Sequence, residues 1–136
     1  MIKLRYDRKV NFYETDAQGI VHHSNYPRYF EEVRGFFLEY IGYPYPKLRE
    51  EINIDVVLLK LEVEYHQPLY FQDKFYILFN IEEFNRFKFS FFYQIFKEDI
   101  LVATGKTSHC CIDRKTRKIV SIPPFLLEKF KGVIND

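Results

Sequence analysis

The sequence predicts an α+β domain in which a curled antiparallel sheet wraps around one long central helix. Three observations carry that prediction. One stretch places apolar residues at three- and four-residue steps, three later stretches alternate with a period of two and a fourth forms a long run, and the links between those four are short. At 136 residues the chain has the size of one domain, and with 47% apolar residues it can bury a core. No repeat, low-complexity tract or linker divides it, so 1–136 is read as a single domain.

The elements follow in order. Residues 3–13 read as a short strand ending in Val10-Asn11-Phe12-Tyr13, and the turn-rich Glu14-Thr15-Asp16-Ala17-Gln18-Gly19 comes next. From about Asn25, the residues Tyr26, Tyr29, Phe30, Val33, Phe36, Phe37, Tyr40 and Ile41 trace the stripe of an amphipathic helix of roughly 16 residues. Ser24 and Asn25 suit its N-cap, Pro27 suits its first turn, and Gly42 with Pro44 and Pro46 stops it. Leu59, Leu61, Val63 and Tyr65 then alternate with Lys60, Glu62, Glu64 and His66, as in a strand with one wet face.

A second strand spans about Lys74 to Glu83, with Phe75, Ile77, Phe79 and Ile81 on one side. Asn85-Arg86 turns the chain, and Phe87, Phe89, Phe91, Tyr93 and Ile95 alternate again. After the turn Lys97-Glu98-Asp99 a fourth run covers Ile100 to Ile112. Asp113 to Lys118 reads as a charged turn, and Pro123-Pro124 opens a short helix through about Phe130. Four antiparallel strands curl under their own twist. The one long helix is the element able to cover the concave apolar face. The remaining apolar edge calls for a second copy, so a homodimer or homotetramer is expected over a monomer.

Bulk chemistry narrows function. A net charge of +1 gives no pull toward nucleic acid or an anionic membrane. No apolar run is long enough for a membrane span, and MIKLRYDRKV lacks the apolar core of a signal segment, so a cytoplasmic location is expected. Cys110 and Cys111 are adjacent, which on a strand points them to opposite faces and disfavours a structural disulfide. His22-His23 lacks a third ligand at zinc spacing, so no metal is expected. The 15 Phe and 11 Tyr either pack the core or also line a ligand tunnel, with Phe30, Tyr65 and Phe91 as candidates for the latter.

The chemistry concentrates in Tyr13-Glu14-Thr15-Asp16-Ala17-Gln18-Gly19-Ile20-Val21-His22-His23-Ser24-Asn25-Tyr26. Asp16 lies in a turn shortly before a helix start, where unpaired N–H groups and the positive dipole end can polarise a carbonyl oxygen. A carboxylate beside them could attack a thioester or deprotonate a water. Gly19 permits the close backbone approach this needs. Spacing alone leaves a second reading open, in which Asp16 stabilises the turn.

The same segment resembles the signature of the 4-hydroxybenzoyl-CoA thioesterase family of hotdog proteins, in particular its Tol–Pal-cluster acyl-CoA thioesterase branch. The match runs through Tyr13, Thr15, Asp16, Gly19, Ile20, Val21, His23, Asn25, Tyr26, Phe30 and Glu31, and Thr104-Gly105-Lys106-Thr107-Ser108-His109 with Ile122-Pro123 resemble the family's last strand and exit. The resemblance implies the hotdog fold and hydrolysis of acyl-CoA to free acid and coenzyme A without a cofactor. It implies Asp16 as catalytic carboxylate, either nucleophile or general base, and the backbone N–H of His23 as the group that polarises the thioester. His22 stands where the branch commonly has an aromatic.

Other residues have two readings each. The His23 side chain could polarise substrate or orient Asp16. Tyr13 and Gly19 are assigned to substrate binding. Glu31 either pairs with Arg34, three positions on, or helps position substrate. Arg114, Lys115, Arg117 and Lys118 form either a solvated turn or a clamp on coenzyme A phosphates, with Arg114 and Arg117 as its arms. Two rivals stand beside the hydrolase: a hotdog hydratase or dehydratase, whose Pro- and Gly-rich motif is absent, and a non-catalytic acyl-thioester binding protein.

Overall fold

A computed structural model describes residues 4–134. Its elements are β1 (Leu4–Lys9), α1 (Asn25–Tyr40), α2 (Tyr45–Lys47) running into a π-helical turn (Leu48–Ile52), β2 (Ile54–Tyr65), β3 (Lys74–Phe84), β4 (Lys88–Lys97), β5 (Ile100–Asp113), β6 (Ile119–Val120) and α3 (Pro124–Ile134). The strands form one antiparallel sheet in the order β1-β3-β4-β5-β2, with the short β6 pairing the end of β5. The sheet wraps α1 in the hotdog arrangement.

The core is where the two periodicities meet. Tyr26, Tyr29, Phe30, Val33 and Phe37 of α1 are buried, and so are Phe75, Ile77, Phe79 and Ile81 of β3 and Phe89, Phe91, Tyr93 and Ile95 of β4. The Phe30 ring stacks on Tyr93 at 4.1 Å, and Phe37 meets Phe79 and Phe91 edge-on. On β5 the facing residue is Gly105, whose place could not hold a Cβ without overlapping the Phe30 ring. Both cysteines are free and buried. No helix among the described residues is long and apolar enough to cross a membrane.

Several expectations need correction. The first strand ends at Lys9, and Phe12–Glu14 is a 3-10 turn, because Asn11 and Glu14 form a capping box there. On α1, Phe36 and Tyr40 are exposed at 37% and 65% while Leu38 is buried. The stripe therefore runs off the sheet at its end. Ser24 occupies the N-cap without a side-chain bond to the helix. Its hydroxyl meets His22 Nδ1 at 2.8 Å instead. Phe87 sits in the turn ahead of β4 and is exposed.

The strand β2 starts at Ile54, five residues before the expected Leu59, and its register shifts between Leu58 and Lys60. A bulge at Leu59 thus interrupts the simple alternation. It is also an edge strand, and Leu58, Leu59, Leu61 and Tyr65 are 40–51% exposed on it.

Candidate active site

The loop between β1 and α1 is held from both sides of one residue, Glu14. Its side chain is buried and takes a two-point ion pair from Arg8, at 3.0 and 2.7 Å. The Asn11 N–H at 2.8 Å and the Tyr29 hydroxyl at 3.0 Å donate to the same carboxylate. Burial alone would raise the Glu14 carboxyl, but Arg8 and these donors outweigh it and hold it below the usual range. The backbone carbonyl of Glu14 accepts from the N–H of His22 and from Asn25 Nδ2, each at 2.9 Å. Arg8 also pairs with Glu32 on α1. The strand, the loop and the helix are thereby fastened at a point two residues before Asp16.

Beyond that anchor the chain makes a tight reversal. The Asp16 N–H donates to Ile20 O at 2.8 Å, the Gly19 N–H to Asp16 O at 3.0 Å, and Asp16 Oδ1 accepts the Gln18 N–H at 2.8 Å. Gly19 has φ +82°, a left-handed conformation that glycine adopts without strain. The Val21 N–H donates to Leu69 O, which ties the loop to the segment after β2.

The reversal forms one wall of an open cleft of about 560 Å³. Asp16 and His23 line it together with Tyr26, and the far wall comes from Tyr65, His66, Gln67 and Pro68. The Tyr65 hydroxyl donates to His23 O at 3.3 Å, and the Tyr26 and Tyr65 rings meet edge-on at 5.0 Å. Burial, with Tyr65 adding to it, pushes the Tyr26 hydroxyl up to about 12, so it stays protonated. The N–H groups of His22, Ser24, Asn25 and Tyr26 all have acceptors. Among the described residues none accepts from the His23 N–H, the donor at the head of α1.

The expected site residues divide. Asp16 and His23 come together, and Gly19 shapes the turn between them without lining the cleft. Tyr13 is 77% exposed, and its hydroxyl accepts from Asn11 Nδ2. Glu31 faces a second depression farther along α1, and no ion pair joins it to Arg34, which turns to the Tyr93 hydroxyl. Arg117 pairs with Asp55 at 2.9 Å, and Arg114 donates to Arg49 O at 3.2 Å, both at the opposite end of β2 from Asp16. Of the candidate tunnel rings, Tyr65 lines the cleft, while Phe30 and Phe91 are core. The histidine rings of His22 and His23 lie 4.1 Å apart, tilted by 31°. Sequence reasoning missed Glu14, whose partners lie six residues before it and fifteen after, and the His66–Pro68 wall, which belongs to no motif.

The model of the thioesterase-like superfamily matches residues 10–130. The chain belongs to the thioesterase-like superfamily. A provisionally named esterase of Aquifex aeolicus (strain VF5) is 56% identical over 126 residues, 93% of this chain and 96% of its own length. A 1,4-dihydroxy-2-naphthoyl-CoA hydrolase of Microcystis aeruginosa (strain NIES-843 / IAM M-2473) is 26% identical over 121 residues, 89% of this chain and 88% of that one. The solved DHNA-CoA thioesterase of Staphylococcus aureus superposes with a TM-score of 0.90 at 26% identity, covering 98% of this chain and 91% of its own. Within this superfamily member the matched span takes in the Asp16 loop and every strand of the sheet except β1.

Proposed function

We propose that this thioesterase-like protein hydrolyses acyl-CoA thioesters, with Asp16 as the catalytic carboxylate. The observation that carries the reading is that Asp16 and His23, whose backbone N–H has no acceptor among the described residues, line one cleft. A thioester carbonyl placed between them would have its oxygen polarised by a donor that needs no reorganisation. Asp16 would then either add to the carbonyl carbon, giving a mixed anhydride that water cleaves, or take a proton from the attacking water. In both routes the C–S bond breaks, coenzyme A leaves as its thiol, and the acyl group leaves as the free acid.

The names of the relatives support the substrate class, since two of them act on an aryl-CoA thioester. Affiliation with the 4-hydroxybenzoyl-CoA thioesterases and their Tol–Pal branch is part of the same proposal, carried by the segment from Tyr13 to Glu31. So is assembly into a homodimer or homotetramer through β2. Pairing β2 antiparallel with its copy would bring the Arg114 end of one chain to the Asp16 cleft of the other, where Arg114 could meet coenzyme A phosphates while Arg117 stays paired with Asp55. The test is thiol release from a panel of short, long and aromatic acyl-CoA thioesters. Turnover well above the buffer rate on at least one is the expected result, and none on any would remove the reading.

A further inference from the structure

Arg34 carries a charge that the fold leaves uncompensated. It projects from α1 about two and a half turns past the helix start. Its Nη1 donates to the Tyr93 hydroxyl at 3.3 Å, and the Tyr45 hydroxyl lies beside it. Both acceptors are neutral phenols. Among the described residues no carboxylate comes within ion-pair distance of it. A guanidinium has five N–H donors, and taking one partly out of water without a counter-ion is costly.

The surroundings add to the surplus. Arg34 opens into a cleft of about 570 Å³, separate from the Asp16 cleft, whose rim holds Arg49 and Arg117. Those two share one carboxylate, Asp55, at 2.7 and 2.9 Å, so that acid is already committed twice. Behind Arg34 a hydrogen-bonded chain runs from Tyr93 to Thr107 at 2.6 Å, to His109 Nε2 at 2.8 Å, and from His109 Nδ1 to Val57 O at 3.2 Å. Every polar atom of that chain has a partner, which fixes the wall. Three guanidiniums thus face two carboxylates, Asp55 and the exposed Glu31.

We propose that this cleft is a carboxylate-binding subsite, with the Arg34 guanidinium as its fork. Planar two-point pairing is the geometry that guanidinium and carboxylate share. The carboxylate we assign is the distal end of an acyl group, and in this respect the inference rests on the thioester-hydrolase reading. Within one chain the two clefts lie at opposite ends of β2, from Val56–Leu58 to Tyr65, about 26 Å at strand spacing. Yet β2 is an unpaired edge with exposed Leu58, Leu59 and Leu61. Antiparallel pairing of β2 with a second copy sets the Val57 end of one strand against the Tyr65 end of the other. The Arg34 cleft of one chain then closes the far side of the Asp16 cleft of its neighbour. An ω-carboxyacyl or carboxyaryl thioester would span the two, with its carbonyl at Asp16.

The test compares ω-carboxyacyl-CoA thioesters of about four to eight carbons with alkanoyl-CoA thioesters of matching length, on the full chain. At the length that reaches Arg34, the acid-ended substrate should lead in kcat/KM by roughly 10- to 100-fold, the worth of a charge-assisted pair. Arg34→Met should collapse that ratio toward one, while Arg34→Lys, which keeps the charge and guards against a folding artefact, should retain part of it. Melting temperatures are read beside the rates. A parallel NMR titration with free glutarate covers the second source of the same chemistry, a free acid. Saturable, Arg34-dependent shifts with no kinetic preference would keep the subsite and overturn the acyl assignment. No preference at any length and no such shifts would overturn the subsite itself. If no acyl-CoA is turned over at all, the hydrolase reading falls, and the glutarate titration still decides the subsite.

Discussion

The acid two residues before Asp16 holds the loop more firmly than any residue of the motif itself. Glu14 takes four donors on its carboxylate and two on its carbonyl, and it is 4% exposed. Removing one partner of a buried ion pair typically costs about 3–5 kcal/mol. Glu14→Gln keeps the size, and Glu32 remains to pair with Arg8, so a loss nearer 2–3 kcal/mol is expected. Because the slack falls on the Asp16 reversal, kcat should drop by roughly tenfold or more with KM little moved, measured beside the melting temperature. Unchanged kcat in a destabilised variant would make Glu14 structural only.

His109 supplies a second expectation at the same scale. Burial, helped by the nearby Arg34 charge, pushes its imidazole from 6.5 down to about 3. The unfolded chain therefore binds a proton that the folded chain refuses between those values, and stability falls as pH drops through that window. Between pH 8 and pH 5 the loss from this one group is roughly 2 kcal/mol. Denaturant unfolding of His109→Gln at both pH values should show the dependence flattened by that amount. An unchanged slope would mean His109 does not carry it.

Among the elements, β3 and β4 were legible because they stack apolar residues at period two beneath a covering helix, and β5 as a long run bounded by two turns. β2 was legible only in part. Its first half, Ile54-Asp55-Val56-Val57-Leu58, has no clean alternation, and the bulge at Leu59 flips the side on which later residues fall. β6 has two residues and leaves no periodic trace. The close approach of α1 to β5 could not be read either, since it depends on Phe30 meeting Gly105 from 75 positions away. Gly105→Ala forces a methyl into the Phe30 ring and should cost about 1–3 kcal/mol, as overpacking does. A melting temperature equal to wild type would show that α1 is free to shift.

At the level of the whole molecule, the unfinished feature is the edge. β1 ends the sheet with six largely charged residues, whereas β2 ends it with twelve and exposes four large apolar side chains. Long apolar edges recruit a partner strand. Light scattering at micromolar concentration should therefore report a dimer or a dimer of dimers, and a well-behaved monomer would contradict the placement of Arg34 and Arg114 against a neighbour's cleft. The sequence carried the Asp16–His23 half of the candidate site, because both belong to one short motif before one helix and line the same cleft. The rest is built by residues distant in sequence: Tyr65 and His66 on one wall, and Arg34 with Tyr45 and His109 in the second cleft.

If Asp16 performs chemistry and does not merely close its turn, removing its charge alone must abolish most of the activity. Asp16→Asn retains the size of the side chain and an oxygen that can accept the Gln18 N–H, but it is neither a competent base nor a useful nucleophile. Its steady-state hydrolysis of the best acyl-CoA substrate, measured on protein whose melting temperature matches wild type, decides the matter. A catalytic Asp16 requires kcat to fall by roughly 10²–10⁴ with substrate binding nearly preserved. A folded Asp16→Asn enzyme working within a few-fold of wild type would contradict it.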